Sequence, residues 1–379
     1  MKCELSLICG YVNETIATSE LSKFNYISTE NMLPNKNGIE PASSLPNQKV
    51  VKAFKKGDIL ISNIRPYFKK IWLAEYNGGC SNDVLVIRAK KGTNKEFLYY
   101  LLSENKFFDY VTASSKGTKM PRGDKNAIMN YLVPEFEEKE QRKIAKLLGT
   151  IDKKIKVNKK INDNLENFIK NLFKDTFYNN KSNFSYKKIS LGDLMDYQGG
   201  NQPPSSEFIN YKRNGYIRFI QIRDYDSNSH ITYIPISSKN KICNEKDIMI
   251  ARYGAALGKI CCGLNGAYNV ALAKVIPRKS FYREFLRNYL SSKEFYIGIN
   301  NKGERSAQSG FNKSDIKSFE LLFPKDEKIV IKFEKIASNC FELYLKNLKQ
   351  NRTLENIRNK LLPYLISGKI DISDIELRH

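Results

Sequence analysis

Residues 139–175 carry a regular pattern of apolar and polar positions. Mostly apolar residues recur there in alternating steps of four and three, which keeps one face of an α-helix turned toward a partner helix. The stripe consists of Ile144, Leu148, Ile151, Ile155, Asn158, Asn162, Leu165, Ile169 and Leu172. It predicts a long helix that pairs with a second helix along this face.

A second stripe with the same spacing lies 189 residues further along the chain. It consists of Phe333, Ala337, Cys340, Tyr344, Asn347, Asn351, Leu354, Arg358 and Leu361. Both stripes contain two asparagines, and an asparagine in such a seam lowers stability but fixes the register of the pairing. In an antiparallel pair, Asn158 would face Asn351 and Asn162 would face Asn347. We therefore predict an antiparallel coiled coil whose register these four residues fix. The alternative is that each helix packs only on its own domain.

The segments that precede the two helices also resemble each other. In each, strand-like runs are followed by a helical stretch and then by a small, polar, glycine-containing loop, at 114–126 and at 301–315. The run DILI at Asp58–Ile61 returns as DIMI at Asp247–Ile250, again 189 residues later. This repeat predicts an α+β fold with two similar mixed α/β domains, each followed by a long helix. The predicted segments are a first domain at 1–137, a helix at 138–178, a second domain at 179–325, a helix at 326–367 and a tail at 368–379.

The charge of the chain indicates what these domains bind. Lys and Arg number 63 against 40 Asp and Glu, which leaves a net charge of +23. An excess of this size favours a polyanionic partner, and we expect double-stranded DNA rather than a membrane surface. Two similar units joined through antiparallel helices would suit two separated half-sites, because inverted protein elements match the local twofold symmetry of duplex DNA.

Residues that carry out catalysis or bind metals are scarce in the sequence. The seven cysteines form no C-x-x-C pair and there are only two histidines, so we expect free thiols and no metal site. NQPP at Asn201–Pro204 lacks the aromatic residue of an adenine methyltransferase motif. GAALGK at Gly254–Lys259 is followed by Ile260, where a phosphate-binding loop needs a hydroxyl. We therefore predict no catalytic residue and no cofactor bound by this chain.

The location of the protein is predicted from two features that the sequence lacks. No secretory signal opens the chain, and no apolar run of about eighteen residues is present to span a bilayer. We expect a soluble protein in the reducing cytoplasm.

Several segments together resemble the DNA-specificity subunit of type I restriction-modification systems. They are YISTENM at Tyr26–Met32, GDILISNIRPYFKKIWLA at Gly57–Ala74, the helix sequence IDKKIKVNKKINDNLE, ISLGDL at Ile189–Leu194 and LLPYLISGKI at Leu361–Ile370. Their order and spacing extend the resemblance over nearly the whole chain. It implies two target-recognition domains, each reading one half of a bipartite sequence, and helices that set the spacer and dock two methyltransferase subunits.

The resemblance also implies that the cofactors belong to partner subunits. S-adenosylmethionine would be bound by the methyltransferase, which methylates adenines. ATP and Mg would be bound by a separate restriction subunit, which moves along DNA and cuts it. The chain itself would be a non-catalytic subunit of this complex.

Residues expected to contact DNA are basic or hydrogen-bonding side chains in the glycine-containing loops and after the matched strands. Lys and Arg neutralise phosphates, whereas Arg and Gln can bond two atoms of one base edge. In the first domain these candidates are Arg65, Tyr67, Lys69, Ser115, Lys116, Thr118, Lys119 and Arg122, with Tyr26 as a weaker one. In the second they are Arg252, Tyr253, Lys259, Lys302, Arg305, Ser306 and Gln308, with Arg223 as a weaker one. The alternative for each loop residue is an ordinary solvated position, and for each aromatic residue a place in the core.

Two other classes of protein share part of this pattern. A stand-alone DNA-binding regulator or architectural protein would show the same charge and repeat without an enzyme partner. An independent nuclease or methyltransferase would need the catalytic motifs that the sequence lacks. The isolated chain would behave differently in the three classes. A specificity subunit would bind a methyltransferase, a regulator would bind DNA alone, and an independent enzyme would modify DNA without help.

Overall fold

A computed structural model of the protein describes residues 1–179, 185–226, 230–303 and 310–370. The chain forms two compact units. Unit 1 comprises Met1–Lys156 together with the C-terminal part that begins at Arg352, and unit 2 comprises Val157–Asn351. None of the described helices combines the length and the apolar character that crossing a membrane requires.

The secondary structure repeats along the chain. The helices are α1 Leu5–Ile8, α2 Lys95–Leu102, α3 Asn105–Ala113, α4 Lys125–Met129, α5 Glu138–Lys174, α6 Arg283–Leu290, α7 Lys293–Gly303, α8 Lys313–Lys317 and α9 Lys328–Ile366. The strands up to α5 are β1 Lys2–Glu4, β2 Cys9–Tyr11, β3 Thr15–Ala17, β4 Tyr26–Ile27, β5 Val50–Phe54, β6 Ile59–Ser62, β7 Ile71–Leu73, β8 Gly78–Cys80, β9 Val84–Ala89 and β10 Leu132–Pro134. The later strands are β11 Tyr186–Ser190, β12 Met195–Gly199, β13 Tyr216–Ile220, β14 Thr232–Pro235, β15 Ile242–Cys243, β16 Met249–Ala251, β17 Ile260–Cys261, β18 Gly266–Tyr268, β19 Leu272–Pro277 and β20 Glu320–Pro324.

Unit 1 contains two four-stranded sheets and a short ribbon. The first sheet is antiparallel with the order β2-β9-β6-β7, and the second has the order β3-β5-β8-β4, in which β4 runs parallel to β8. Strand β6 is buried on both faces: Ile59 and Ile61 pack with the helices, whereas Leu60 packs with Phe54 of the second sheet. Side chains alternate along a strand, so one apolar run supplies two cores. Strands β1 and β10 form the ribbon.

Unit 2 repeats this plan. Its first sheet has the order β12-β19-β16-β17, its second has the order β14-β13-β18-β15 with β13 parallel to β18, and β11 pairs with β20. Strand β16 again serves two cores, because Ile250 packs with the helices whereas Met249 packs with Tyr268 of the second sheet.

The two long helices pair as an antiparallel coiled coil, as the stripes predicted. Within unit 2, Asn158 Nδ2 donates to Asn351 Oδ1 at 2.8 Å and Asn347 Nδ2 donates to Asn162 Oδ1 at 2.9 Å. All four asparagines are buried, and Asn158 is 0% exposed. Each layer thus contains one hydrogen bond between its two amides, which buried amides require, and the Oδ1 atom of Asn158 is buried without a hydrogen-bond partner.

The segment of the coil that belongs to unit 1 packs through aliphatic side chains. Leu148 and Leu361 lie in the same cluster as Leu98 and Leu101 of α2. The first turn of α5 contains Glu138 and Glu140, and its last turn contains Lys174. Acidic residues at the N-terminus and basic ones at the C-terminus suit the helix dipole.

Candidate nucleic-acid interface

In unit 1 the two predicted DNA-binding loops lie side by side. The loop after β6 contains Arg65, whose N–H donates to the Pro121 carbonyl at 2.8 Å. Ile64 forms a β-bridge with Arg122, which also bridges to Lys116. The loop between α3 and α4 is therefore a narrow turn held against the end of β6. Its tip, Thr118–Met120, is exposed.

The backbone of this region is unusual. The described part of the chain has four non-glycine residues with positive φ: Asn35 at 57°, Lys36 at 63°, Arg65 at 50° and Lys69 at 53°. The loops that contain them are joined, because Asn35 N–H donates to the Phe68 carbonyl at 2.8 Å and Lys36 N–H to the Lys69 carbonyl at 2.9 Å. A left-handed residue with a side chain costs about 1–2 kcal/mol, and such residues cluster at functional sites.

Several candidate side chains of unit 1 have partners within the unit. Lys116 Nζ lies 2.7 Å from Asp124 and Arg122 lies 3.1 Å from Asp83. The hydrogen bond to Asp124 raises the pKa of Lys116, and the same bond lowers the pKa of Asp124. Lys69 donates to Asn105 at 3.0 Å. These contacts orient the basic groups at the protein surface.

Three other candidates of unit 1 differ in their exposure. Tyr67 is 46% exposed and its ring lies 4.8 Å from that of Phe68. The Ser115 hydroxyl donates to the Thr112 carbonyl at 2.7 Å, so it bonds to the preceding helix. Tyr26 is only 7% exposed and packs in the core. Tyr26 therefore matches the alternative that the sequence left open for aromatic residues.

In unit 2 the loop after β16 repeats this arrangement. Tyr253 forms a β-bridge with Gly310, just as Ile64 does with Arg122. Gly310 allows this close approach, because a Cβ there would lie 2.5 Å from the ring carbons of Tyr253. Three candidates that precede Gly310 in the sequence, Arg305, Ser306 and Gln308, lie outside the described residues.

Arg252, the first residue after β16, is surrounded by aromatic rings. Its Cζ atom lies 5.0 Å from the ring centroid of Tyr253, 5.6 Å from that of Tyr197 and 6.0 Å from that of Phe311. Cations over ring faces at these distances are attracted to the ring electrons. Neither Tyr197 nor Phe311 was among the sequence candidates, because nothing local indicates that they approach Arg252.

The remaining candidates of unit 2 have different surroundings. Lys259 Nζ lies 2.8 Å from Asp226, and this hydrogen bond raises the pKa of Lys259. Arg223 is exposed on the short helical turn after β13. Lys302 Nζ donates to Ser318 Oγ at 2.6 Å and lies 5.2 Å from the ring centroid of Phe319. Lys302 is thus engaged with the segment between α8 and β20.

The repeat also identifies a position that the sequence candidates missed. Asn63 stands 189 residues before Arg252 and likewise directly follows its strand. It is 8% exposed, and its Oδ1 atom is buried without a hydrogen-bond partner. Aligning the two repeats residue by residue is the signal that would have found it.

Comparison with known proteins shows which family shares these features. The family model described as "Type I restriction modification DNA specificity domain" matches residues 10–167 and 184–355. A similar protein is the type I restriction enzyme MjaIX specificity subunit of Methanocaldococcus jannaschii, 25% identical over 355 residues that cover 86% of this chain and 80% of that protein. The HindI specificity subunit of Haemophilus influenzae is 31% identical over 161 residues, which are 40% of this chain and 35% of that protein.

A solved structure has a similar fold. The S subunit of a type I restriction-modification system from M. genitalium matches with a TM-score of 0.66 and 15% sequence identity. The match covers 97% of this chain and 96% of that one.

Proposed function

Because the chain belongs to the family of type I restriction-modification DNA specificity subunits, we propose that it reads a two-part DNA sequence, with one half-site for each recognition domain. Subunits of this family recognise DNA and are not catalytic, and they act with methyltransferase and restriction partners. We take 1–137 and 179–325 as the two target-recognition domains.

One observation carries this proposal. Each unit joins the end of its matched strand to a polar loop by the same β-bridge, Ile64 with Arg122 and Tyr253 with Gly310. The same backbone element is thus available twice for reading DNA. The net charge of +23 favours binding of the phosphate backbone at both places.

We assign the DNA contacts to the candidate residues of each unit. In unit 1 they are Arg65, Tyr67, Lys69, Ser115, Lys116, Thr118, Lys119 and Arg122. In unit 2 they are Arg223, Arg252, Tyr253 and Lys259, with Lys302, Arg305, Ser306 and Gln308 from the segment that precedes Gly310 in the sequence. Exposed basic groups would position the phosphates, whereas fixed side chains would read base edges.

The coiled coil has a separate role in this proposal. Asn158, Asn162, Asn347 and Asn351 fix its register, and the outer faces of α5 and α9 dock two methyltransferase subunits. The helices also set the spacer between half-sites. Inserting one helical turn into both helices adds ~5.4 Å, which should lengthen the spacer by ~1–2 base pairs at ~3.4 Å each. An unchanged spacer would refute this role.

The partners would supply the chemistry in the cytoplasm. S-adenosylmethionine binds the methyltransferase, which methylates adenine, and ATP and Mg bind the restriction subunit. The chain contributes recognition and alignment only.

A purified system tests the proposal directly. The full chain is co-expressed with the methyltransferase of the same system, and transfer of methyl groups from S-adenosylmethionine to duplex DNA is measured. We expect the two to co-purify, with sequence-specific methylation by the complex and none by the chain alone. Binding of DNA without binding of the methyltransferase would favour a stand-alone regulator. Methylation or cleavage by the chain alone would indicate an independent enzyme.

A further inference from the structure

Aromatic rings hold the guanidinium group of Arg252 in position. Among the residues that the structure describes, no hydrogen bond or ion pair restrains it, and its contacts are the rings of Tyr197, Tyr253 and Phe311. Other arginines of unit 2 are bound differently: Arg287 pairs with Glu284 at 2.9 Å. A charged group that is packed but unpaired retains its hydrogen-bonding capacity for a ligand.

The orientation of Arg252 determines which of its atoms reach a ligand. Its Nε atom is buried without a hydrogen-bond partner, whereas neither Nη atom is both buried and without a partner. The accessible edge of the group is therefore the pair of Nη atoms. Two parallel N–H donors at this edge match two acceptors that lie side by side.

In the major groove, guanine presents such a pair of acceptors in O6 and N7, and arginine bound to both is the commonest specific contact. Adenine replaces one acceptor with an amino donor, so the same edge discriminates against it. We infer that Arg252 reads a guanine in the half-site recognised by unit 2. This inference rests on the proposed function and adds the base and the atoms.

Gly199 of β12 leaves space for this orientation. A Cβ atom at this position would lie 2.8 Å from Arg252 Nη1, closer than side chains normally approach. Any larger residue would therefore push the guanidinium away from its rings. Gly199 is a positioning residue, because it acts on DNA only through Arg252.

The test maps N6-methyladenine in cells that express the full chain with its methyltransferase. The preference for each base is measured at every recognised position. Arg252→Lys keeps the positive charge over the rings but loses the paired donors. We expect guanine preference to fall about 5- to 150-fold at one position of one half-site, the range that one bidentate contact provides, with the other half-site unchanged.

Two further variants make the result specific. Gly199→Ala should weaken the preference at the same position, whereas an unchanged preference would overturn its positioning role. Arg213→Lys is the matched control, because Arg213 is an exposed arginine of unit 2 that lies 5.5 Å from the single ring of Tyr216. It should leave the motif intact. Thermal unfolding of each purified complex identifies any variant that fails to fold.

The Arg252→Lys complex tests the assignment of Arg252, whereas the wild-type complex tests the proposed function. Three results for the Arg252→Lys complex would overturn the assignment of Arg252. They are an unchanged motif, a change at a base other than guanine, and a uniform loss of methylation. If the wild-type complex shows no motif that depends on this chain, the proposed function itself fails.

Discussion

The second sheet of unit 1 has the order β3-β5-β8-β4, whereas the corresponding sheet of unit 2 has the order β15-β18-β13-β14. Three strands correspond, β5, β8 and β4 in one unit and β15, β18 and β13 in the other, each with one parallel pair. The fourth strand is added at opposite edges. The first sheets, in contrast, have the same order in both units. The framework is thus repeated, and the difference is concentrated in the outer strands.

The contacts between each domain and the coil differ in the same way. In unit 1, Tyr100 of α2 donates to Asp152 at 2.7 Å, and Arg358 pairs with Asp152 at 2.6 Å. The residue 189 positions after Asp152 is Phe341, and in unit 2 the guanidinium of Arg287 lies 3.7 Å from the centre of its ring. One backbone plan is therefore stabilised by a polar network in one unit and by a cation over a ring in the other.

The largest expected effect on stability is in unit 2. Glu284 is 0% exposed and pairs with Arg287, which is 9% exposed. Glu284→Ala leaves a buried positive charge without its partner, so we expect a loss of about 3–5 kcal/mol in the free energy of unfolding. Urea unfolding of the purified chain measures it, and a loss below about 1 kcal/mol would contradict this explanation.

The corresponding change in unit 1 should be smaller. The side chains of Arg358 and Asp152 are 27% and 29% exposed, so water partly replaces a lost partner. Asp152→Ala should lower the free energy of unfolding by about 1.5–3 kcal/mol, the range for hydrogen bonds to charged groups. The same urea experiment compares the two variants. If Asp152→Ala lowers the free energy of unfolding more than Glu284→Ala does, the predicted order of the two effects is wrong.

The asparagine layers belong to unit 2 alone and offer a test with an internal control. Asn162→Leu removes the acceptor of the buried Asn347 amide N–H, and we expect a loss of about 1–3 kcal/mol in the free energy of unfolding. Replacing both Asn162 and Asn347 by leucine removes the unpaired group and should restore stability. A double variant as unstable as the single one would show that the layer does not act through this hydrogen bond.

The smallest expected effects distinguish the two loop arginines by backbone conformation. Arg65 has φ of 50°, whereas Arg252 is not among the residues with positive φ. Arg65→Gly should be more stable than Arg65→Ala by about 1 kcal/mol, because glycine adopts positive φ without strain. At position 252 the order should reverse, with alanine more stable by about 0.5–1 kcal/mol. Thermal unfolding of the four variants checks the prediction, and the same order at both positions would contradict it.

The coiled coil was predictable from the sequence because its spacing is local and repeated. The same repeat predicted the plan of domain and helix, since DILI and DIMI occupy matched strands. The addition of β3 and β14 at opposite edges of the second sheets was not predictable, because short strands form by pairing with distant segments. Arg252 was predicted as a candidate, but the aromatic rings around it come from positions 197, 253 and 311, which only the folded chain brings together.

Mapping N6-methyladenine across the genome tests the central claim most directly. Cells that express this chain with its methyltransferase are compared with cells that lack only this chain. The account predicts a two-part motif with a fixed gap that disappears when the chain is absent. Unchanged methylation in cells without the chain, with the wild-type complex shown to assemble, would contradict it.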